Sequence, residues 1–230
     1  MKPNPIIVAL DVESAAEARR LISQLGSQVN FYKVGMELYA AAGIEFVRDL
    51  VGQGKDVFLD LKLYDIPETV KRAAAQVART GVRFLTVHAV ASVMRAAVEG
   101  RGSSPLKLLA VTVLTSFGPE DMEDLGYECS VFDLVEERAR KAERAGMDGI
   151  VCSPREAAMV RGVVGPGVLI VTPGVRSPGA SHADQKRVAT PAEALRDGAN
   201  YLVIGRQITR AADPAAEAAK ILAEIQSATC

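Results

Sequence analysis

A short run of alternating charges directly follows an apolar segment in the first third of the chain. The run begins at Asp60, reads Asp-Leu-Lys-Leu-Tyr-Asp-Ile-Pro, and comes straight after the apolar Val57–Leu59. Side chains two residues apart on a strand share one face, so Asp60 and Lys62 are predicted to lie side by side. Such a pair can be a solvated ion pair of little consequence. It can also transfer protons and stabilise developing charge in an active site.

Segments of two kinds alternate around this run. The short apolar segments predict eight strands, at Ile6–Leu10, Phe31–Val34, Val57–Leu59, Phe84–Val87, Leu108–Leu114, Gly149–Val151, Val168–Val171 and Tyr201–Ile204. Segments rich in Ala, Glu and Arg with helical spacing predict helices such as Glu13–Leu25, Glu37–Leu50, Glu68–Arg79, Phe132–Ala145 and Pro191–Arg196. Nearly continuous apolar strands are typical of a parallel sheet that helices cover on both faces. The pattern therefore predicts an α/β fold.

The number of repeats indicates how this sheet closes. Eight strand–helix repeats in 230 residues favour a closed (β/α)₈ barrel over an open doubly wound sheet. A chain of this length can bury one substantial core, and neither a linker nor a low-complexity tract interrupts the alternation. We therefore expect residues 1–230 to form a single catalytic barrel domain.

Polar residues recur where the predicted strands end, which is the catalytic end of such barrels. They are Asp11, Lys33, Asp60 with Lys62, His88, and Thr115 with Ser116. Asp11 alone could cap a helix, and His88 could be an ordinary core histidine. Caps do not explain two lysines, because a buried lysine needs acidic partners to keep its charge. An alternation of Lys33, Asp60, Lys62 and Asp65 would keep all four groups ionised.

The last two predicted strands are followed by glycine and arginine. Pro-Gly-Val-Arg ends at Arg176, and Ile-Gly-Arg covers Gly205 and Arg206. Barrels bind phosphate at these positions, where glycine lets backbone N–H groups approach an anion and arginine supplies a two-pronged donor. The polar, small-residue segment from Arg176 to Gln185 is either a lid over the ligand or an ordinary surface loop.

Composition excludes several other classes of protein. Lys and Arg number 27 against 28 Asp and Glu, which leaves no basic excess for binding nucleic acid. No apolar stretch is long enough for a signal segment or a membrane span, so a soluble cytoplasmic protein is expected. Cys129, Cys152 and Cys230 are widely spaced and indicate neither a disulfide framework nor structural zinc.

Taken together, these motifs closely resemble the bacterial orotidine 5′-phosphate decarboxylases over nearly the whole chain. The resemblance rests on Ala9–Asp11, Phe31–Gly35, Asp60–Thr69, Leu114–Ser116, Pro173–Arg176, Asp184–Arg187 and Val203–Arg206. The most specific element is Asp-x-Lys-x-x-Asp-Ile-Pro. The family implies a (β/α)₈ homodimer with active sites at the subunit interface. It also implies conversion of orotidine 5′-monophosphate to uridine 5′-monophosphate and CO₂, the last step of de novo UMP synthesis, without organic cofactor or metal.

The same resemblance implies a role for each site residue. Lys62 would donate a proton to C6 of the pyrimidine, and Asp60 would lie beside the departing carboxylate. The partner subunit would receive Asp65, Ile66 and Thr69 in its site. Asp11 and Lys33 would hold the ribose hydroxyls, and Thr115 and Ser116 would meet the base. The phosphate would bind Arg176, Gln185, Gly205 and Arg206. Tyr64 and Gln207, where many relatives carry histidine and proline, depart from the pattern outside this chemistry.

Three other functions stay open on the residues. The nearest is a sugar-phosphate lyase of the same superfamily, which uses a similar acid–lysine array with a divalent metal. The metal-dependent relatives place glutamate at the position of Lys33, and an ammonium there would repel a hard cation. A Schiff-base aldolase using Lys33 or Lys62 is a second possibility. A non-catalytic nucleotide-binding barrel is the third, although simple binding needs no such charge array.

Overall fold

The computed structural model describes residues 4–177 and 189–228 and contains eight parallel strands with helices between them. The strands are β1 (Ile6–Ala9), β2 (Phe31–Gly35), β3 (Asp56–Leu63), β4 (Phe84–His88), β5 (Lys107–Val111), β6 (Gly149–Val151), β7 (Leu169–Pro173) and β8 (Tyr201–Ile204). The helices are α1 (Ala15–Leu25), α2 (Met36–Gly52), α3 (Pro67–Ala78), α4 (Ala91–Arg101), α5 (Pro119–Asp124), α6 (Val131–Arg144), α7 (Ala157–Val163), α8 (Pro191–Arg196), α9 (Arg206–Thr209) and α10 (Pro214–Ser227). A 3₁₀ turn at Pro154–Glu156 precedes α7.

The sheet is a closed barrel, as predicted from the repeat pattern. Each strand pairs in parallel with the next, and β1 closes the ring against β8. Val8 shows the closure, since it lies opposite Tyr32 on β2 and opposite Ile204 on β8. All carboxyl ends therefore meet on one rim, which brings the polar residues after different strands close together.

Strand alternation divides the apolar side chains into two cores. On β1, Ile7 and Ala9 belong to the cluster inside the barrel, whereas Ile6 and Val8 belong to the layer between strands and helices. The inner cluster is small and includes three phenylalanine rings, at Phe31, Phe58 and Phe84. Both faces of each strand are thus buried, which explains the nearly continuous apolar segments in the sequence.

The amino-terminal end of the barrel is closed by one arginine. Arg83 Nη1 donates to Asp56 Oδ2 at 2.8 Å, and Nη2 donates to the Tyr201 hydroxyl at 2.8 Å. Its guanidinium also lies over three rings, 5.1 Å from the Phe31 centroid and 5.6 Å from those of Phe84 and Tyr201. The cavity left at this end is about 150 Å³.

Several element boundaries differ from the predicted ones. The predicted fifth strand is too long at its carboxyl end, because β5 ends at Val111 rather than at Leu114. The third strand is longer than the apolar segment Val57–Leu59, and it contains Asp60 and Lys62 near its carboxyl end, where they were predicted. Helix α1 is capped by Ser14, whose hydroxyl accepts the Glu17 N–H at 3.2 Å. Asp11 is therefore not the cap of that helix.

Helix α4 shows why some helices are hard to recognise in the sequence. It contains Gly100, which lowers helical propensity. A Cβ at that position would lie 2.1 Å from the backbone oxygen of Lys71 on α3, so the close contact between the two helices requires glycine. Among the described residues, no helix combines the length and the apolar character needed to cross a bilayer.

Candidate active site

A cavity of about 520 Å³ opens at the carboxyl rim of the barrel. Its size is typical of small-molecule sites. Five cationic and three acidic side chains of the described residues line it: Lys33, Lys62, Arg176, Arg206 and Arg210, and Asp11, Glu37 and Asp60. This excess of positive charge favours an anionic ligand.

The centre of the cavity wall is a chain of ion pairs that starts from Asp60. Lys62 Nζ lies 2.9 Å from Asp60 Oδ2, and Lys33 Nζ lies 3.7 Å from the same oxygen. Lys33 Nζ also donates to Asp11 Oδ1 at 2.8 Å. The structure thus brings together four of the predicted residues, which the sequence places on three different strands or their ends.

Burial and neighbouring charges shift the pKa values of these ion-paired groups in opposite directions. Burial alone would raise the pKa of Asp60, but the charges of Lys33 and Lys62 hold it below its usual value, with help from hydrogen bonds to Lys62 and Thr86. Burial would likewise lower the pKa of Lys33, but Asp60 and Asp11 raise it. Both groups therefore keep their charge at neutral pH.

The backbone at Lys62 is unusual. Among the described residues outside glycine, only Lys62 has a positive φ, at 50°. For such a residue the left-handed region costs roughly 1–2 kcal/mol. It coincides with an irregularity in the pairing of β3 with β4, between Leu59 and Leu63. Bulges beside active sites redirect side chains, and strain at such positions commonly serves function.

Gly35 lies next to the Lys33–Asp11 pair. A Cβ there would come within 3.0 Å of Lys33 Nζ and 3.1 Å of Asp11 Oδ1. The absence of a side chain at Gly35 therefore leaves room for the contact between these two groups. This spatial requirement explains why glycine ends β2 here.

The predicted phosphate-binding residues that the structure describes line the same cavity as this chain of ion pairs. Arg176, Gly205 and Arg206 all line it, together with Gly174, whose φ is 82°. Arg176 is 8% exposed, and its Nη1 donates to the Val175 carbonyl at 2.7 Å. Burial and the nearby charge of Arg206 lower the pKa of Arg176. An anion between the two guanidinium groups would relieve this repulsion.

The residue after Arg176 is firmly anchored. Ser177 N–H donates to Gln207 Oε1 at 3.1 Å, and the Ser177 hydroxyl donates to Glu224 Oε2 at 2.8 Å. Gln207 Nε2 in turn donates to Glu217 Oε1 at 2.8 Å. Gln207, which departs from the family pattern, therefore connects the loop that carries Arg176 to α10.

Thr115 and Ser116 line the cavity, although not as strand residues. The prediction that they end the fifth strand is wrong, because β5 stops at Val111 and both residues lie in the turn before α5. Gln185 and most of the predicted lid, including His182, lie outside the described residues.

The three residues expected to serve a partner lie away from the cavity of their own chain. Asp65 Oδ1 accepts the backbone N–H of Ile66 at 2.6 Å, and Thr69 lies in the first turn of α3. All three are exposed, with Ile66 67% accessible. Asp65 therefore does not join the ion pairs of Lys33, Asp60 and Lys62 within the protomer.

His88 lines a second cavity beside the first, of about 320 Å³. Its ring contacts that of Tyr64, with 5.3 Å between centroids. Burial, and then the charges of Arg138 and Lys62, lower the pKa of His88. The histidine is therefore neutral at physiological pH.

Three residues with a place at the site were not predicted from the sequence. Glu37 and Arg210 line the cavity, but Glu37 lies in the first turn of α2 and Arg210 directly follows α9, on exposed stretches where charged residues are common. Thr86 is fully buried on β4 and bonds to Asp60. A threonine between apolar residues on a buried strand was the available signal for Thr86. Within residues 4–177 and 189–228, no cluster of three or more His, Cys, Asp or Glu could hold a metal ion.

The closed barrel and the charged cavity at its carboxyl rim define a (β/α)₈-barrel enzyme with a site for an anionic small molecule. Residues 4–221 match the model of the orotidine 5′-phosphate decarboxylase / HUMPS family. The chain belongs to this family.

Relatives from several bacteria agree with this assignment. The chain is 53% identical to an orotidine 5′-phosphate decarboxylase of Rhodopseudomonas palustris strain TIE-1, over 97% of this chain and 94% of that one. It is also 53% identical to the enzyme of Nitrobacter winogradskyi, over 97% and 93%. Among solved structures, the orotidine 5′-phosphate decarboxylase of Lactobacillus acidophilus superposes with a TM-score of 0.85, at 38% identity and 96% and 98% coverage.

Proposed function

We propose that this protein decarboxylates orotidine 5′-monophosphate to uridine 5′-monophosphate and CO₂, as the last step of de novo UMP synthesis. The observation that carries the proposal is the Lys62 ammonium, held 2.9 Å from Asp60 in a cavity that Arg176 and Arg206 also line. The family, the relatives and this arrangement support a carboxy-lyase acting on a phosphorylated pyrimidine nucleoside. The matched span also supports one barrel domain. A cytoplasmic location stays a prediction.

Lys62 is the proposed proton donor to C6. Loss of CO₂ leaves an electron pair in an sp² orbital of the ring, where the carbonyl groups conjugate with it poorly. A fixed ammonium beside C6 stabilises this carbanion more than it stabilises the more distant substrate carboxylate. The same group can then deliver the proton. Preorganisation by Asp60 keeps the ammonium in place before the reaction begins.

Asp60 has two proposed effects. It orients Lys62 through the 2.9 Å contact, and its charge lies where the substrate carboxylate would bind. Repulsion between the two carboxylates would raise the energy of the bound substrate and fall as CO₂ departs. We assign the larger share of catalysis to Lys62, because a cation acts directly on the developing charge.

The remaining site residues bind the rest of the nucleotide. Asp11 and Lys33, joined at 2.8 Å, have the donors and acceptors that ribose hydroxyls need. Thr115 and Ser116 are proposed to meet the base, and Arg176, Gly205, Arg206 and Gln185 the phosphate. Binding energy from the distant phosphate can organise the site for catalysis, so its contacts affect turnover as well as affinity.

The site is proposed to be completed by a second subunit. Asp65, Ile66 and Thr69 are exposed and do not line the cavity of their own chain, as expected of residues that act across an interface. Asp65 would add a second carboxylate near Lys62, after Asp60, and restore the predicted alternation of charges. The cavity's excess of cations within one protomer is consistent with an acidic contribution from outside.

Hybrid dimers test this donation in trans. We expect inactive Asp65→Asn and inactive Lys62→Ala subunits to regain activity when mixed, because one of the two sites in a hybrid then contains both native residues. The measurement is the rate of UMP formation after subunit exchange, with each variant alone as the control. If exchange occurs but no activity returns, Asp65 does not act across the interface.

The proposed reaction itself is tested by the ultraviolet absorbance of orotidine 5′-monophosphate mixed with the purified protein in excess chelator. Rapid loss of the substrate band, with UMP as product, is the expected result. A flat trace from folded protein would contradict the proposal, and sugar phosphates with magnesium would then be assayed. Lys33 argues against that metal-dependent alternative, since its ammonium lies 3.7 Å from Asp60, a carboxylate that a metal ion would need.

A further inference from the structure

Thr86 is a buried polar residue that none of the proposed roles includes. It lies on β4 between Leu85 and Val87 and is fully inaccessible to solvent. Its strand neighbours two positions away are Phe84, which belongs to the core inside the barrel, and His88. By alternation, the Thr86 side chain therefore faces the barrel interior, on the side where Asp60 lies.

The pairing of β3 with β4 places Thr86 opposite the irregular part of β3. Leu59 lies opposite Leu85, and Leu63 lies opposite Val87. Three residues, Asp60 to Lys62, thus occupy the interval that Thr86 alone occupies on the neighbouring strand. The additional residues form a bulge and interrupt the regular hydrogen bonds between the strands.

The Thr86 hydroxyl supplies the bonds that this bulge needs. Its Oγ1 accepts the backbone N–H of Lys62 at 2.9 Å, the group that the bulge removes from the regular ladder. The same hydroxyl donates its proton to Asp60 Oδ1 at 2.9 Å. One side chain therefore contacts both the acid of the charged pair and the backbone that carries the lysine.

The two oxygens of Asp60 are used by different groups. Oδ2 contacts Lys62 at 2.9 Å and Lys33 at 3.7 Å, whereas Oδ1 contacts Thr86. The lysine side chains are long and flexible, but the threonine side chain is short and is held on a strand of the barrel. Among these three contacts, the one from Thr86 therefore restricts the rotation of the carboxylate most strongly.

We propose that Thr86 is a positioning residue that fixes the Asp60 carboxylate and the left-handed backbone of Lys62, and so aims the Lys62 ammonium into the cavity. This inference rests on the proposed function, because it assigns a residue to that reaction. Thr86 acts through Asp60 and Lys62, and it need not touch the substrate. Small displacements of a catalytic group reduce turnover strongly. Loss of the Thr86 hydroxyl should therefore lower kcat measurably.

The test compares Thr86→Val, which keeps the shape and loses the hydroxyl, with Thr86→Ser, which keeps the hydroxyl and loses a methyl group. For Thr86→Val we expect kcat for orotidine 5′-monophosphate to fall roughly ten- to a hundredfold, as for loss of a hydrogen bond to a charged group. KM should stay within about threefold, because the phosphate contacts are unchanged. Thr86→Ser should keep kcat within about threefold of the parent.

A matched control is Thr172→Val. Thr172 is equally buried on β7, but its hydroxyl donates to the backbone oxygen of Tyr201 at 3.5 Å and has no contact with the ion pairs. We expect this variant to keep the kcat of the parent. Should Thr86→Val not fold, Thr86→Ala takes its place in the comparison with Thr86→Ser.

A second readout does not depend on activity. Exchange of the Lys62 amide proton, followed by NMR, should accelerate at least about tenfold in Thr86→Val and stay slow in Thr86→Ser, since only the hydroxyl accepts this N–H. The inference is overturned if Thr86→Val keeps kcat within threefold, if Thr86→Ser is equally slow, or if Lys62 exchange is unchanged in Thr86→Val. A parent protein without turnover would instead contradict the proposed function, and the exchange measurement would still test the bond.

Discussion

The two ends of the barrel both contain charged side chains beside a cavity, yet they are built differently. At the amino-terminal end, one arginine faces one aspartate, a tyrosine hydroxyl and three rings, around a cavity of about 150 Å³. At the carboxyl end, five cations and three acids of the described residues surround about 520 Å³. Arg83 directs its donors at protein groups, whereas the cations of the other end outnumber the acids around an open space.

This difference shows that an ion pair at the end of a barrel does not by itself indicate chemistry. Asp56 and Asp60 lie on the same strand, four residues apart, and each contacts a basic side chain. The Arg83 guanidinium lies over aromatic rings and has a structural role. The backbone of Lys62 lies in a bulge with φ of 50°, and its ammonium lines the large cavity. Excess charge, open space and backbone strain together distinguish the functional end.

Among the contacts that bind the rest of the nucleotide, the largest effect in this comparison is expected from Arg206→Ala, which removes a cation from the carboxyl end. We expect kcat/KM for orotidine 5′-monophosphate to fall about a hundredfold, since a charge-assisted hydrogen bond contributes about 1.5–3 kcal/mol. The slow reaction of the nucleoside orotidine should change little, because it has no phosphate to bind. Arg20→Ala, on the exposed face of α1, is the control. Equal losses on both substrates would contradict the assignment of Arg206 to phosphate.

A change at the amino-terminal end should lower stability and leave activity nearly unchanged. Arg83→Met should lower the free energy of unfolding by about 1–3 kcal/mol, because it removes the hydrogen bonds to Asp56 and Tyr201 and the guanidinium stacked on three rings. Activity per folded molecule should stay within about threefold of the parent. Arg19 offers a matched control, since it also pairs with an aspartate, Asp49 at 3.0 Å, but lies over only one ring, Phe46 at 5.3 Å, and has a side chain 54% exposed against 39% for Arg83. Arg19→Met should cost less than about 1 kcal/mol.

The smallest expected effect is a pH dependence of the free energy of unfolding, caused by Asp60 at the carboxyl end. The folded-state pKa of Asp60 is lowered, so its charge stabilises the folded protein above the unfolded pKa of about 4. That contribution is lost as the pH falls through the lower folded pKa. We therefore expect the difference in unfolding free energy between the parent and Asp60→Asn to be constant from about pH 5 to pH 8, and to shift against the parent below about pH 4. Denaturant unfolding at each pH measures it, and a constant difference down to pH 2 would contradict the ion-pair account.

The sequence was sufficient to predict the barrel and most of the cavity. Strand–helix repetition places the carboxyl ends of all strands together, so polar residues after separate strands, such as Asp11, Lys33 and Arg206, could be grouped before any contact was known. Lys62 was predicted beside Asp60 from simple alternation, and the two are indeed 2.9 Å apart.

Other features could not be read from the sequence, for physical reasons. The bulge at Lys62 depends on the register between β3 and β4, which is a property of two strands together, so the role of Thr86 was not foreseen. Gly100 made α4 a weak helical pattern, although close packing against α3 requires it there. The exposure of Asp65 in its own protomer follows from the direction of the loop before α3, which a charge pattern does not specify.

The account depends most directly on Lys62, and Lys62→Ala tests it when turnover and stability are measured together. We predict that kcat/KM for orotidine 5′-monophosphate falls at least about 10⁴-fold, because both charge stabilisation and the proton donor are lost. The thermal unfolding midpoint should stay within a few degrees of the parent, in contrast to Arg83→Met. Residual activity within about a hundredfold of the parent, in folded protein, would contradict the central claim that this ammonium carries out the reaction.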